Sequence, residues 1–167
     1  MMLDTLGMFD ATPALPEQIL AAAESARLVD GPLPKHDEIE NVVVLGMGDS
    51  GFAGDVIREI AGPLMPVPVV VHKGYGIPNF VSDSSLVFVV SFSGDTEETV
   101  EAAQDAAAAG GRMVVVTTGG RLADLATSWG VPHVPTRNAG SSAPPRAGSW
   151  WRAKARNRTC LPPARRA

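Results

Sequence analysis

Two short runs in this 167-residue chain combine hydroxyl, glycine and acidic residues at spacings that suit the binding of an anion. Gly46-Met47-Gly48-Asp49-Ser50-Gly51 follows the apolar run 42–45, and Ser91-Phe92-Ser93-Gly94-Asp95-Thr96-Glu97-Glu98 follows the apolar run 86–90. Each reads as a strand that stops in small polar residues and then feeds a helix. Such a junction offers backbone N–H groups and the positive end of a helix dipole to a negative ligand. Two of them in one domain point to a phosphorylated ligand, with Gly48, Asp49, Ser50, Ser91, Ser93 and Thr96 as candidate contacts.

Each run also has another reading. Gly46, Gly48 and Gly51 fit G-x-G-x-x-G, the dinucleotide fingerprint, whose acidic ribose ligand belongs about 20 positions on. Val71-His72-Lys73 stands there instead, and Lys73 would suit a 2′-phosphate, which keeps an NADP-binding domain as an alternative. That alternative leaves the second run unexplained. For the second run the competing reading is helix capping, with Asp95 or Thr96 as N-cap and Glu98 or Thr99 bonding back. Capping accounts for Asp95, Thr96 and Glu98 but not for Ser91 and Ser93. If the strand continues through 91–93, side-chain alternation turns both serines to one side and sends Phe92 into the core.

The elements that must hold these runs follow from periodicity and punctuation. A helix is predicted over 16–27, with Ile19, Leu20 and Ala23 on one face, before Gly31-Pro32-Leu33-Pro34 breaks the chain. Strands are predicted at 41–45, 67–72, 86–90, 113–117 and 132–134. Helices are predicted at 52–61, 96–109 and 121–129, and Pro68 suggests that the second strand is an edge. Strands that are apolar throughout, alternating with helices, imply a parallel sheet covered on both faces. The fold class is therefore α/β, a three-layer sandwich with a parallel five-stranded sheet. Ligands of such sheets sit at the carboxyl ends of the strands, where both runs fall.

Composition narrows the setting. The longest apolar stretches fall well short of the roughly 20 residues of a spanning helix, and no Lys or Arg precedes Arg27, so neither a membrane nor a secretory leader is expected. The cytoplasm is the expected location. Cys160 is the only cysteine, which excludes an internal disulfide or a cysteine metal cluster, and no metal or other cofactor is expected. All 18 acidic residues lie between Asp4 and Asp124, whereas residues 136–167 hold 8 of the 14 Lys and Arg. That segment is rich in Ala, Arg, Pro, Gly and Ser, carries Trp150-Trp151, and has no apolar periodicity. It is read as a disordered basic tail, the kind of composition that out-of-frame translation of GC-rich DNA produces, with a genuine basic arm as the alternative. The folded domain is expected to end at residue 135.

Gly46-Met47-Gly48-x-Ser50-Gly51 with Gly54-Asp55, followed by Tyr75-Gly76-Ile77-Pro78-x-Phe80-Val81 and by Ser91-Phe92-Ser93-Gly94-Asp95-Thr96-Glu97-Glu98-Thr99, resembles the sugar isomerase (SIS) domain. The middle motif narrows the resemblance to the bifunctional phosphoglucose/phosphomannose isomerases, over residues 15–135. The resemblance implies a flavodoxin-like SIS fold in which Ser50, Ser91, Ser93 and Thr96 hold a sugar phosphate. It implies aldose–ketose isomerisation, in which a glutamate shuttles a proton through an enediol and a histidine assists ring opening. Family members have two SIS domains and carry those groups in the second. This chain shows one, so it is expected to bind a hexose 6-phosphate as the N-terminal half of an isomerase-like protein truncated before its catalytic half. His72 and His133 are read as packed or surface residues, and His36 as a linker residue. Arg146, in Pro145-Arg146-Ala147, is the one candidate for a family arginine of the catalytic site. Asp49 stands where the family usually has a small residue; a carboxylate some 6 Å from a phosphate would cost roughly 1–5 kcal/mol. The expected partners are a small-molecule sugar phosphate and, as a candidate assembly, a second copy of the chain, with no nucleic acid. A non-catalytic SIS sensor or interaction module is the alternative function.

Overall fold

A computed structural model describes residues 13, 15–27, 29 and 33–136. The tail at 137–167, and with it Arg146, lies outside the described residues. Helix α1 spans Leu15–Arg27, and a 3-10 turn at His36–Glu38 leads into strand β1, Asn41–Leu45. Then come α2 (Gly48–Ala61), a 3-10 turn at Gly62–Leu64, β2 (Val69–His72), β3 (Ser85–Val90) and α3 (Glu97–Ala108). Finally β4 (Arg112–Thr117), α4 (Gly120–Trp129) and β5 (His133–Pro135) complete the order. Among the described residues no helix is long and apolar enough to cross a membrane.

The five strands form one parallel sheet in the order β2-β1-β3-β4-β5. β2 is an edge, as Pro68 suggests: a proline beside the strand start donates no ladder hydrogen bond. Residues 42–45 of β1 are all buried, which is why that strand reads as an unbroken apolar run rather than an alternating one. Its odd positions, Val43 and Leu45, join Val87, Val89 and Val115 in a core closed by Val100, Ala103 and Ala106 of α3 and by Leu122 and Ala126 of α4. The even positions face α2, which settles on Val44 and Val71 through Gly54. Helices thus cover both faces.

Two helices are less covered than their amphipathic patterns suggest. Ile19 and Leu20 of α1 are 61% and 66% exposed, and Phe52, Val56 and Ile60 of α2 form an exposed apolar ridge at four-residue spacing. At the amino end of the sheet Arg112 ties three segments together. Its Nη1 pairs with the Glu38 carboxylate, and its Nε donates to the Asp83 carbonyl at 2.7 Å.

Candidate functional site

The strand order reverses between β1 and β3: one leads through α2 to β2 on one side, the other through α3 to β4 on the other. That switch point is where open α/β sheets leave a crevice. Leu45 pairs with Val89, so the two polar runs leave neighbouring strands in step. The closeness is tight enough that a Cβ on Gly46 would stand 2.8 Å from the Val90 carbonyl oxygen.

The first run is less a loop than the start of a helix. α2 begins at Gly48, not at the predicted residue 52, because Gly48-Asp49-Ser50 already make its first turn. The first intrahelical bond is Gly51 N–H to the Met47 carbonyl, at 3.1 Å, so the amides of Gly48, Asp49 and Ser50 precede the ladder and have no partner within the helix. Asp49 is exposed and Ser50 half-buried. Gly51 admits no side chain, since a Cβ there would lie 2.6 Å from the Gly46 carbonyl oxygen and 3.0 Å from Lys73 Cε. Lys73, the residue that a 2′-phosphate would need, pairs with Asp55, which also meets Arg58 at 3.5 Å.

The second run departs from the alternating geometry. β3 ends at Val90, so Ser91, Phe92 and Ser93 lie in a turn. Ser91 is 2% exposed; its Oγ accepts the Gly94 N–H at 3.2 Å and lies 3.1 Å from Thr96 Oγ1. Ser93 is exposed, and its Oγ accepts the Asp95 N–H at 3.2 Å. The two hydroxyls therefore do not share one side. Phe92 is 53% exposed rather than in the core. The cause is Gly94, whose φ of 77° reverses the chain and whose absent Cβ would collide with the Gly119 carbonyl oxygen at 1.8 Å. The capping reading is also corrected. Thr96 occupies the N-cap position of α3, but its hydroxyl makes no bond to that helix. Asp95 accepts the Arg121 N–H, at 2.8 Å, from the start of α4 instead.

At α3 the first intrahelical bond is Val100 N–H to the Thr96 carbonyl, leaving the amides of Glu97, Glu98 and Thr99 ahead of the ladder. Two helix N-termini, α2 and α3, thus open at the ends of adjacent strands. Their dipoles attract an anion, and Asp49, Glu97 and Glu98 in the first turns set a limit on its charge.

Two groups that the sequence reading did not single out also shape the site. The turn Thr117-Thr118-Gly119-Gly120 ends β4 in the same way, an apolar strand breaking into small polar residues, and that similarity was the available signal. The Thr118 hydroxyl donates to the Phe92 carbonyl at 2.7 Å, and the Thr117 hydroxyl donates to the Gly119 carbonyl at 2.9 Å. The phenol of Tyr75 is held above its ordinary value of 10 by partial removal from water and by the carboxylates of Glu97, Glu98 and Glu101. Neither strand-end histidine is free: Nε2 of His72 donates to the Tyr75 carbonyl at 3.1 Å and that of His133 to the Thr117 carbonyl at 3.3 Å.

Sheet order and connectivity define the class: a flavodoxin-like α/β domain with two helix N-termini at its switch point. The profile of the SIS domain matches residues 37–129, and the chain belongs to that family. Over 119 residues it is 37% identical to the bifunctional phosphoglucose/phosphomannose isomerase of Caldicellulosiruptor bescii, the match covering 71% of this chain and 35% of that protein. The Thermoplasma acidophilum protein of the same name is 41% identical over 85 residues, or 51% of this chain and 26% of that one. The chain thus spans about a third of the length of the curated relatives it matches. Among solved structures, the C-terminal domain of glucosamine-fructose-6-phosphate aminotransferase from Francisella tularensis shares the fold at a TM-score of 0.59 and 20% identity, over 82% of this chain and 40% of that one. The Vibrio vulnificus NanR protein complexed with ManNAc-6P does so at 0.52 and 17%, over 89% and 58%.

Proposed function

We propose that the domain binds the phosphate of a hexose 6-phosphate in the crevice between β1 and β3, as part of a phosphoglucose/phosphomannose isomerase lineage working in the cytoplasm. The observation that carries the reading is the meeting of two helix N-termini at adjacent strand ends, with Ser50, Ser93 and Thr96 beside the unladdered amides. Gly48, Asp49 and Ser50 supply one wall and the 91–96 turn the other. Ser91 acts from beneath, holding the turn rather than touching the ligand. The identity to the isomerases of Caldicellulosiruptor bescii and Thermoplasma acidophilum supports a sugar phosphate over a dinucleotide, as does the engagement of Lys73 by Asp55.

Isomerisation needs an acid–base pair within reach of the sugar carbons. Both strand-end histidines are held by backbone carbonyls, so the catalytic groups are proposed to lie outside the described residues, with Arg146 a candidate among them. Calorimetric titration with glucose 6-phosphate, fructose 6-phosphate, mannose 6-phosphate, inorganic phosphate and NADP tests the binding. The expected result is that the hexose phosphates bind more tightly than inorganic phosphate and that NADP does not compete. In a coupled assay free of host isomerase, the chain by itself is expected to show no turnover. NADP binding without sugar-phosphate binding would sink the reading.

One observation favours a second reading, a sugar-phosphate sensor that assembles without catalysis. The ridge of Phe52, Val56 and Ile60 on α2 is 63%, 40% and 70% exposed, and a second copy is the proposed occupant.

A further inference from the structure

The turn that carries Ser93 does not stand by itself; it is interlocked with the turn that follows β4. The Thr118 N–H donates to the Phe92 carbonyl at 3.1 Å, and the Leu122 N–H to the Gly94 carbonyl at 2.9 Å. A Cβ on Gly120 would stand 2.4 Å from the Ser93 carbonyl oxygen and 2.8 Å from Asp95 Oδ2. Across this contact, besides the Thr118 hydroxyl on the Phe92 carbonyl, runs a side-chain bond from the Arg121 N–H to Asp95 Oδ1 at 2.8 Å. Arg121 is the second residue of α4, so its amide is one of those with no partner inside the helix, and a carboxylate there is further favoured by the dipole. At its other end, the Asp95 backbone N–H donates to Ser93 Oγ. Asp95 thus joins the exposed Ser93 hydroxyl to the first turn of α4.

We propose that Asp95 is a positioning residue of the anion crevice: by capping α4 it holds the 91–96 turn so that Ser93 Oγ and the first amides of α3 converge on one ligand. The proposal rests on the sugar-phosphate reading above. It also assigns a use to α4, whose N-terminus is occupied by protein and is not a third anion site. What the position requires is an oxygen acceptor at the reach of an Asp or Asn side chain; the negative charge is dispensable and, beside a phosphate, unfavourable.

The test compares Asp95→Ala, Asp95→Asn and Asp95→Glu with the unaltered chain, reading the dissociation constant for glucose 6-phosphate and the amide exchange of Arg121. Loss of a charge-assisted acceptor should raise the dissociation constant about tenfold in Asp95→Ala and speed exchange at Arg121. Asp95→Asn, which keeps the acceptor and drops the charge, should restore both to within about threefold of the unaltered chain or bind more tightly. Asp95→Glu, with its oxygen displaced by a methylene, should resemble the alanine variant and serves if that variant fails to fold. Equal affinity in Asp95→Ala, or an Asp95→Asn as weak as the alanine or glutamate variant, would overturn the proposal. If the unaltered chain binds no sugar phosphate, the functional reading fails by itself, and exchange then decides the brace: an Arg121 amide equally protected without the carboxylate would overturn it too.

Discussion

Ser91 and Ser93 are the same residue two positions apart, and their burial separates their effects. Ser91 is 2% exposed and accepts the Gly94 N–H, so Ser91→Ala strands a buried donor and should lower unfolding stability by about 1–3 kcal/mol, read by denaturant titration. Ser93 is exposed, and its one side-chain bond among the described residues is to the Asp95 amide, which water can replace. Ser93→Ala should leave the denaturation midpoint nearly unchanged while weakening hexose 6-phosphate binding by about 1–3 kcal/mol, the scale of a hydrogen bond to a charged group. The reverse pattern would exchange the two roles. Asp49 is exposed in the first turn of α2, where its charge suits the helix and opposes the ligand. Calorimetry on Asp49→Gly should show binding tightened about threefold to tenfold, the effect of one like charge removed near a partly solvated anion. The same change should cost about 0.5–1 kcal/mol of stability from a glycine in the helix.

Among the elements, the 3-10 turn at His36–Glu38 is tied to β4 by the Glu38–Arg112 pair. The hydrogen bond from Arg112 holds the Glu38 carboxyl below its ordinary 4.5, with the guanidinium charge adding to it. A carboxyl depressed in the folded state stabilises above its unfolded value and loses that contribution as pH falls through the folded one. The melting temperature of Glu38→Gln should therefore lie slightly below that of the unaltered chain at pH 7, and the gap should close as pH drops from 4.5 toward 3. A gap that stays constant across that range would mean that the pair contributes nothing through its charge. The same logic of tying segments explains α3, whose N-cap residue lends its hydroxyl to Ser91 instead of to its own helix.

For the molecule as a whole, assembly turns on the exposed apolar ridge of α2. Phe52, Val56 and Ile60 stand one turn apart, and burying one such side chain contributes about 1.5–3 kcal/mol, so six of them across a two-fold pair would suffice for a weak dimer. Sedimentation velocity should show a concentration-dependent dimer that Ile60→Glu converts to a monomer without loss of sugar-phosphate binding, since Ile60 lies at the far end of α2 from Gly48. A monomer at all concentrations would leave the sensor reading without its support.

The alternation of apolar strands and helices determined the class of fold directly from the sequence, because buried parallel strands must be apolar on both faces and Gly and Pro mark where they stop. The two polar runs were legible for the same reason: a buried strand that breaks into glycine and hydroxyl residues before a helix leaves its turn amides turned toward a ligand. Which of the two serine hydroxyls is exposed was not legible. Alternation holds only while the chain is extended, and whether it is extended at Ser91 depends on Gly94 fitting against the Gly119 carbonyl, a contact between residues 25 positions apart. Nor could local sequence show that Asp95 serves α4 rather than its own helix. Capping patterns describe neighbours in the chain, whereas the nearest unpartnered amide is decided by packing.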